Sequence, residues 1–237
     1  MAEHILFVGT VHCDPDIDAR LERMLDIERP DCVTMEYTPA SEPHHLATRD
    51  RMLRLFKERK KREIPYDVAQ YIRHQAEHVL HRPIEVLRKY CAGKEIPPQF
   101  IDHPGSYQMI EQAIPLPDDS TFIRNLILGN ASVADIRSKT QKDYLHLHQL
   151  FLANEPEKTM QALERCRALF HIGSALRDVY PAAKILEAAQ STKGKLLYVT
   201  GAMHMLDDPR NETVFSMLKD RFPIRRQLLD EYDQDAT

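Results

Sequence analysis

Ile5-Leu6-Phe7-Val8-Gly9-Thr10-Val11-His12 near the start of the chain and Leu196-Leu197-Tyr198-Val199-Thr200-Gly201-Ala202-Met203-His204 near its end follow one pattern: an apolar run, a glycine, and a histidine three residues later. A short apolar run that ends in a turn signal reads as a buried strand. After the first run, Asp14-Pro15-Asp16 is helix-start chemistry. Ile17, Leu21, Met24 and Leu25 then recur at helical spacing until Pro30 stops the helix. Asp31-Cys32-Val33-Thr34-Met35-Glu36 reads as a second buried strand. A strand, helix and strand within about 33 residues make a βαβ crossover, which requires a parallel sheet. After the second run a helix is predicted from Asn211 to Arg221, and Pro223 to Leu229 forms a returning strand. The fold class is therefore α/β: a mostly parallel central sheet built from the N- and C-terminal βαβ units, with a large helical insert at about 43–190.

Within that insert, helical periodicity with a high charge density runs from about 43 to 93. The run Lys57-Glu58-Arg59-Lys60-Lys61-Arg62 reads as a solvated helix end, a second helix spans about 67–80, and Pro83 opens a third. Pro97 to Asp102 supplies one further short strand, and 119–190 is again helical, with breaks expected near Asn130 and at Pro181. The segments at 5–8, 32–35, 99–101 and 196–199 are expected in one sheet, and the whole of 1–237 as one domain.

Composition sets limits on function. The chain has 237 residues, 32 Lys+Arg against 36 Asp+Glu, and 43% hydrophobic residues, which suits a packed soluble core and argues against a nucleic-acid binder. No apolar run approaches the roughly 20 residues that span a bilayer, and the N-terminus has no signal-peptide pattern, so a cytoplasmic location is expected. Cys13, Cys32, Cys91 and Cys166 lie far apart and read as reduced thiols. Neither a dinucleotide fingerprint nor a phosphate-binding loop occurs. Ser41 and Ser106 lack the Gly-x-Ser-x-Gly context of a serine nucleophile.

Ligands of an open parallel sheet bind beyond the carboxyl ends of its strands. His12, Glu36, Asp102 and His204 are all predicted there. Gly9 and Gly201 are expected to turn the chain so that each imidazole points back over the sheet edge. Two imidazoles and a carboxylate at one edge suit a divalent metal such as Zn, Mn, Co or Fe. This composition yields roughly a third of a Gly-x-x-His match by chance. Two matches, each directly after an apolar strand, are harder to dismiss, although histidines satisfied by backbone groups remain the bland alternative. His74, His78 and His81 also share a helix face at i, i+4 and i+7, a spacing that can hold a metal, but no Glu fills the general-base position of H-E-x-x-H, and the face reads first as an ordinary polar one or a lining of the cleft. His146 and His148 diverge by about 200° on a helix and do not form a joint site.

The segment Phe7 to His12, followed by Arg29-Pro30-Asp31-Cys32-Val33-Thr34-Met35-Glu36, resembles the opening of the TraB/PrgY and TIKI superfamily and its EreA/ChaN-like relatives. Leu197 to His204 resembles the closing motif, and Glu164-Arg165 resembles the recurrent Glu-Arg pair. Together these cover about a third of the chain. The resemblance implies a metal-dependent hydrolase of a peptide, ester or similar acyl bond, with Zn, Mn or Co as cofactor. It implies His12 and His204 as metal ligands, Glu36 as third ligand or general base, and Asp102 as secondary ligand or orienter. Arg165 would stabilise an oxyanion or pair with Glu36. The chain departs from the family at Asp102-His103, where TraB-like sequences tend to carry Asp-Arg. The alternative class is a non-catalytic protein that binds a peptide or a tetrapyrrole such as haem in the same cleft. Peptide or small acyl partners are thus expected, nucleic acid and membranes are not, and homo-oligomerisation stays open.

Overall fold

A computed structural model of the chain describes residues 2–11, 13–79, 82–104, 117–153, 155–170 and 174–233. Five parallel strands, β1 (His4–Thr10), β2 (Cys32–Met35), β3 (Gln99–Phe100), β4 (Lys195–Gly201) and β5 (Ile224–Leu228), form one sheet in the order β3-β2-β4-β1-β5. The four expected strands are in it, and the first and last of them are central neighbours. Their register runs from His4 opposite Lys195 to Thr10 opposite Gly201, so the two Gly-x-x-His segments leave the sheet side by side.

Both faces of the sheet are covered, which is why the strand sequences read as unbroken apolar runs. On one face Leu6, Val8, Val33, Leu197 and Val199 pack against Leu21, Met24 and Leu25 of α1 (Ile17–Glu28), Leu87 of α4 (Arg82–Gly93) and Tyr144 of α6 (Val133–Ala153). On the other face Ile5, Phe7, Leu196 and Tyr198 meet Ala182, Ile185, Ala188 and Ala189 of α8 (Ser174–Ser191) and Val214, Phe215 and Leu218 of α9 (Val214–Leu218). Each fully buried Leu or Phe contributes about 2 kcal/mol by leaving water. The insert has its own smaller apolar cluster. Leu55 of α2 (Glu42–Lys57), Val68, Ala69 and Ile72 of α3 (Tyr66–His74), and Ile123 of α5 (Asp119–Leu128) surround Ile64. The remaining insert helix is α7 (Pro156–Phe170).

Several boundaries differ from the sequence expectation. β1 and β4 are longer than predicted, and Gly9 lies inside β1 rather than closing it. No glycine among the described residues has a positive φ, so neither Gly9 nor Gly201 acts as a left-handed hinge. Gly9 is needed for another reason. A Cβ there would lie 2.9 Å from Ala202 Cβ, 2.9 Å from Met205 Sδ and 3.0 Å from Ala202 Cα, because the one-turn helix Ala202–Met205 passes directly over it. Pro181, predicted to break a helix, lies inside α8. Its cost of about 3 kcal/mol is offset because the turns that follow bury Ala182, Ile185, Ala188 and Ala189 against the sheet. The second helix of the insert ends early, at His74, where a single π turn, Gln75–Val79, takes over.

The two glycines differ in what they tolerate. Gly9→Ala should destabilise the protein by about 1–3 kcal/mol in chemical denaturation, since Ala202 is backbone and Cβ and cannot swing aside. Gly201→Ala should stay within about 0.5 kcal/mol, because Gly201 has φ −60° and its nearest Cβ neighbour would be His204 Cδ2 at 3.5 Å. Equal losses at the two positions would contradict the close-approach account of Gly9.

Candidate functional site

The carboxyl ends of β3, β2 and β4 place Asp102, Glu36 and His204 along one edge, in that strand order. The ladder continues past the strands: Ile101 N–H donates to Met35 O at 2.9 Å, Asp102 N–H to Tyr37 O at 3.2 Å, and Glu36 N–H to Val199 O at 2.9 Å. These bonds fix the backbone of each candidate residue. The helical turn Ala202–Met205 then carries His204 back over the sheet edge.

His204 lies between two carboxylates. Its Nδ1 is 2.7 Å from Asp178 Oδ1 and its Nε2 is 3.2 Å from Glu36 Oε1. The side chains of Glu36 and Asp178 are 10% and 5% exposed, so little water screens the charges. Burial favours neutral imidazole, but the charges of Glu36 and then Asp178, with their hydrogen bonds, outweigh it and raise the His204 pKa well above the ordinary 6.5. Glu36 is itself held. Its Oε2 accepts from the Thr200 hydroxyl at 2.6 Å and from Gly201 N–H at 3.0 Å. Asp178 Oδ2 accepts from Val214 N–H at 3.1 Å, at the first turn of α9. The cluster therefore links β2, β4, α8 and α9 at one point.

Tyr198 completes the floor of the site. It is fully buried, and its ring meets Phe7 edge-on at 5.1 Å. Its hydroxyl lies near Thr200 but makes no hydrogen bond of good geometry. Burial, followed by the charges of Glu36, Asp178 and Asp102, pushes the phenol well above its ordinary pKa, so it is a neutral donor in need of an acceptor.

The donor set suits a divalent ion. Glu36 Oε1 and His204 Nε2, 3.2 Å apart, are close enough for an ion on the imidazole to lie beside the carboxylate, as a further ligand or with the carboxylate as base to its water. A carboxylate on the far nitrogen of a metal-binding histidine fixes its tautomer, and Asp178 occupies that position. Among the described residues no group of three or more ligating side chains forms. His12 lies outside the described residues, so the expected third partner is not among them. The residues flanking it are placed. Thr10 donates to Thr200 O at 3.1 Å, and Val11 N–H meets the Tyr144 hydroxyl at 3.4 Å.

Arg165 is exposed on α7 and forms no ion pair with Glu36, so the structure does not bring that expected pair together. Its neighbour Glu164 instead faces Arg210 at 3.5 Å. Asp102 accepts from the His103 backbone N–H at 2.7 Å, and His103 is exposed with its ring 5.6 Å from that of Tyr180. Sequence reasoning missed Asp178, although it continues the buried stripe Ala182, Ile185, Ala189 of α8 and is an acid in an otherwise apolar row. Two cavities of about 510 and 300 Å³ lie at the opposite, amino edge, beside Lys195 and Arg225 and beside Asp31 and Gly194. They contain none of the residues of this cluster. No helix of the described chain is long and apolar enough to cross a membrane. Compared with known proteins, the chain matches no family model, no curated protein and no solved structure.

The His204 shift predicts a pH signature. The folded metal-free protein holds this proton more tightly than the unfolded chain, so the contribution is complete below about pH 6.5 and is lost as pH rises through the higher folded value. His204→Gln, which leaves two buried carboxylates without their cation, should cost about 3 kcal/mol below pH 6.5. That difference should shrink by up to about 1.4 kcal/mol per pH unit above it. A pH-independent difference between wild type and variant in urea titrations would mean that His204 is uncharged in the fold.

Proposed function

We propose that the chain is a metal-assisted hydrolase that cleaves a peptide, ester or similar acyl bond at the carboxyl edge of its sheet. The reading rests on the resemblance of its paired Gly-x-x-His segments to the TraB/PrgY and TIKI superfamily, and one observation carries it: His204 is oriented at Nδ1 by a buried aspartate while its Nε2 faces a second carboxylate. His204 and, by the resemblance, His12 would hold the ion. Bound there, a divalent cation supplies a water of pKa about 7 and a positive charge beside the acyl oxygen.

The protein's own groups do the rest. Thr200 and Gly201 hold Glu36 by its Oε2, and its Oε1, beside His204 Nε2 at 3.2 Å, is the atom that would take the proton from the attacking water. The water oxygen bonds to the acyl carbon, the bond to the leaving nitrogen or oxygen breaks, and protonated Glu36 returns its proton to that leaving atom. Tyr198, with its hydroxyl unpartnered beneath the site, is available to donate to an oxygen of the reacting group. Asp178 keeps the imidazole in one orientation throughout.

The test is turnover of a panel of peptide and ester substrates with Zn, Mn or Co added. Wild type should hydrolyse at least one in a metal-stimulated manner. Glu36→Gln should keep its bound metal and lose at least about 100-fold in rate, whereas His204→Gln should lose the metal itself. Saturable binding of a panel member without product release would favour the binding-protein class and end the hydrolase reading.

A further inference from the structure

Away from the His204 cluster, α3 and the π turn that follows it place two histidines together. The rings of His74 and His78 are 4.9 Å apart and inclined by 35°. His78 Nδ1 is 3.2 Å from Asp18 Oδ2 of α1. The backbone of Pro15, in the loop after β1, lies close enough to the His74 ring to act on it, and His74 Nε2 is buried without a hydrogen-bond partner. Burial, the first of several causes, lowers the His74 pKa and keeps the ring neutral, so that one ring nitrogen carries a lone pair.

These are the features of metal-binding histidines. A ligating imidazole directs its other nitrogen to a carboxylate or a backbone carbonyl, which sets the tautomer and raises the basicity of the free nitrogen. His78 has the carboxylate and His74 the carbonyl. Two imidazoles bonded through Nε2 to one tetrahedral ion have ring centres about 5 Å apart, close to the spacing found. A buried lone pair with no donor is also an uncompensated cost, and a cation is one partner that removes it.

We propose that His74 and His78 form a second divalent-metal site, specific for an imidazole-preferring ion such as Zn²⁺ or Ni²⁺ and oriented by Asp18 and the Pro15 carbonyl. His81, the third histidine of the i, i+4 and i+7 sequence pattern, lies outside the described residues, and two protein ligands leave the remaining coordination positions to water. The ion would span α3 and the π turn that follows it and hold the His78 ring against Asp18 of α1, so its role is to stiffen that turn. The site is independent of the His204 reading and stands whether or not that reading holds.

The experiment is calorimetric titration of the untagged, full-length protein with Zn²⁺ and, separately, Ni²⁺. Wild type and His204→Gln should share one binding event. That event should weaken at least tenfold in His78→Ala and by about tenfold or more in Asp18→Asn, where only the orienting carboxylate charge is lost. The added ion should raise the melting temperature of wild type and leave that of His78→Ala unchanged. His78 is nearly half exposed, so its removal leaves the fold intact, and circular dichroism checks this. His74→Gln provides the second arm, because the amide still reaches the Pro15 carbonyl but offers no imidazole. Unchanged affinity and stoichiometry in His78→Ala, or full affinity in His74→Gln, would overturn the paired site, as would the lack of any binding event common to wild type and His204→Gln. An event lost only in His204→Gln concerns the other site, so the two failures are distinguishable.

Discussion

The pairing of β1 with β4 is the constraint on which the rest of the structure depends. It joins residues about 190 positions apart in sequence, in a register that runs for seven residue pairs. β5 is attached to β1 and β2 to β4, and β3 joins through β2. The close passage of the Ala202–Met205 turn over Gly9 locks the relative position of the two strands at their carboxyl ends. Fold and site therefore share one contact: the interaction that aligns the central strands also sets the height at which His204 leaves the sheet.

At that edge the energetics favour a site with two stable states. Glu36, His204 and Asp178 are buried and mutually satisfied as carboxylate, imidazolium and carboxylate, which makes the metal-free cluster a self-contained ion network. On the proposed metal reading, an ion at Nε2 would have to displace a proton that the fold holds well above its ordinary pKa, so binding there would release a proton and strengthen as pH rises. The same two carboxylates that make His204 basic would support the charge of the ion that replaces the proton. Proton and metal compete for one lone pair, and the protein's contribution to each is nearly the same set of hydrogen bonds.

Much of this was legible in the sequence, for identifiable reasons. The apolar runs at Ile5 and Leu196 are long enough to be fully buried, and the helical spacing between Ile17 and Leu25 left little choice but a crossover to a parallel strand at Cys32. The placement of Glu36, Asp102 and His204 just past strand ends follows from those runs, whereas the strand order β3-β2-β4-β1-β5 comes from tertiary pairing alone. Less visible was anything decided by tertiary contact. Asp178 sits 26 residues before His204 in a helix whose neighbouring buried positions are apolar, and no local rule distinguishes a buried acid with a partner from an exposed one. Pro181 was misread because propensity stops helices, whereas burial of the following alanines and Ile185 keeps this one going. Of the two motif glycines, Gly9 is required by crowding and not by the backbone freedom expected of it, and Gly201 is required by neither.

That crowding also shows that the two Gly-x-x-His units, alike in sequence, are not equivalent in the fold. The loop after β1 is held toward the α1 and α6 face. Buried Asp14 accepts from the Tyr144 hydroxyl at 2.9 Å and from Arg20 at 2.7 Å, and Arg20 in turn grips Asp233 through two hydrogen bonds of 2.7 Å. The loop after β4 leans the other way, where His204 reaches Asp178 of α8. Burial and the neighbouring Asp14 charge raise the Tyr144 phenol far above its ordinary value, so it stays a donor to Asp14, and the Asp14–Arg20–Asp233 chain fastens the C-terminal part of the molecule to the first loop. One unit is thus braced by a rigid, fully paired network, while the other ends in a cluster with an unpartnered hydroxyl beneath it. In a buried polar site, complete pairing favours rigidity and an unmet donor favours a ligand. The brace at Asp14 therefore positions the loop after β1, while the His204 cluster keeps a polar group to offer a ligand, and the two roles are complementary at one edge of the sheet.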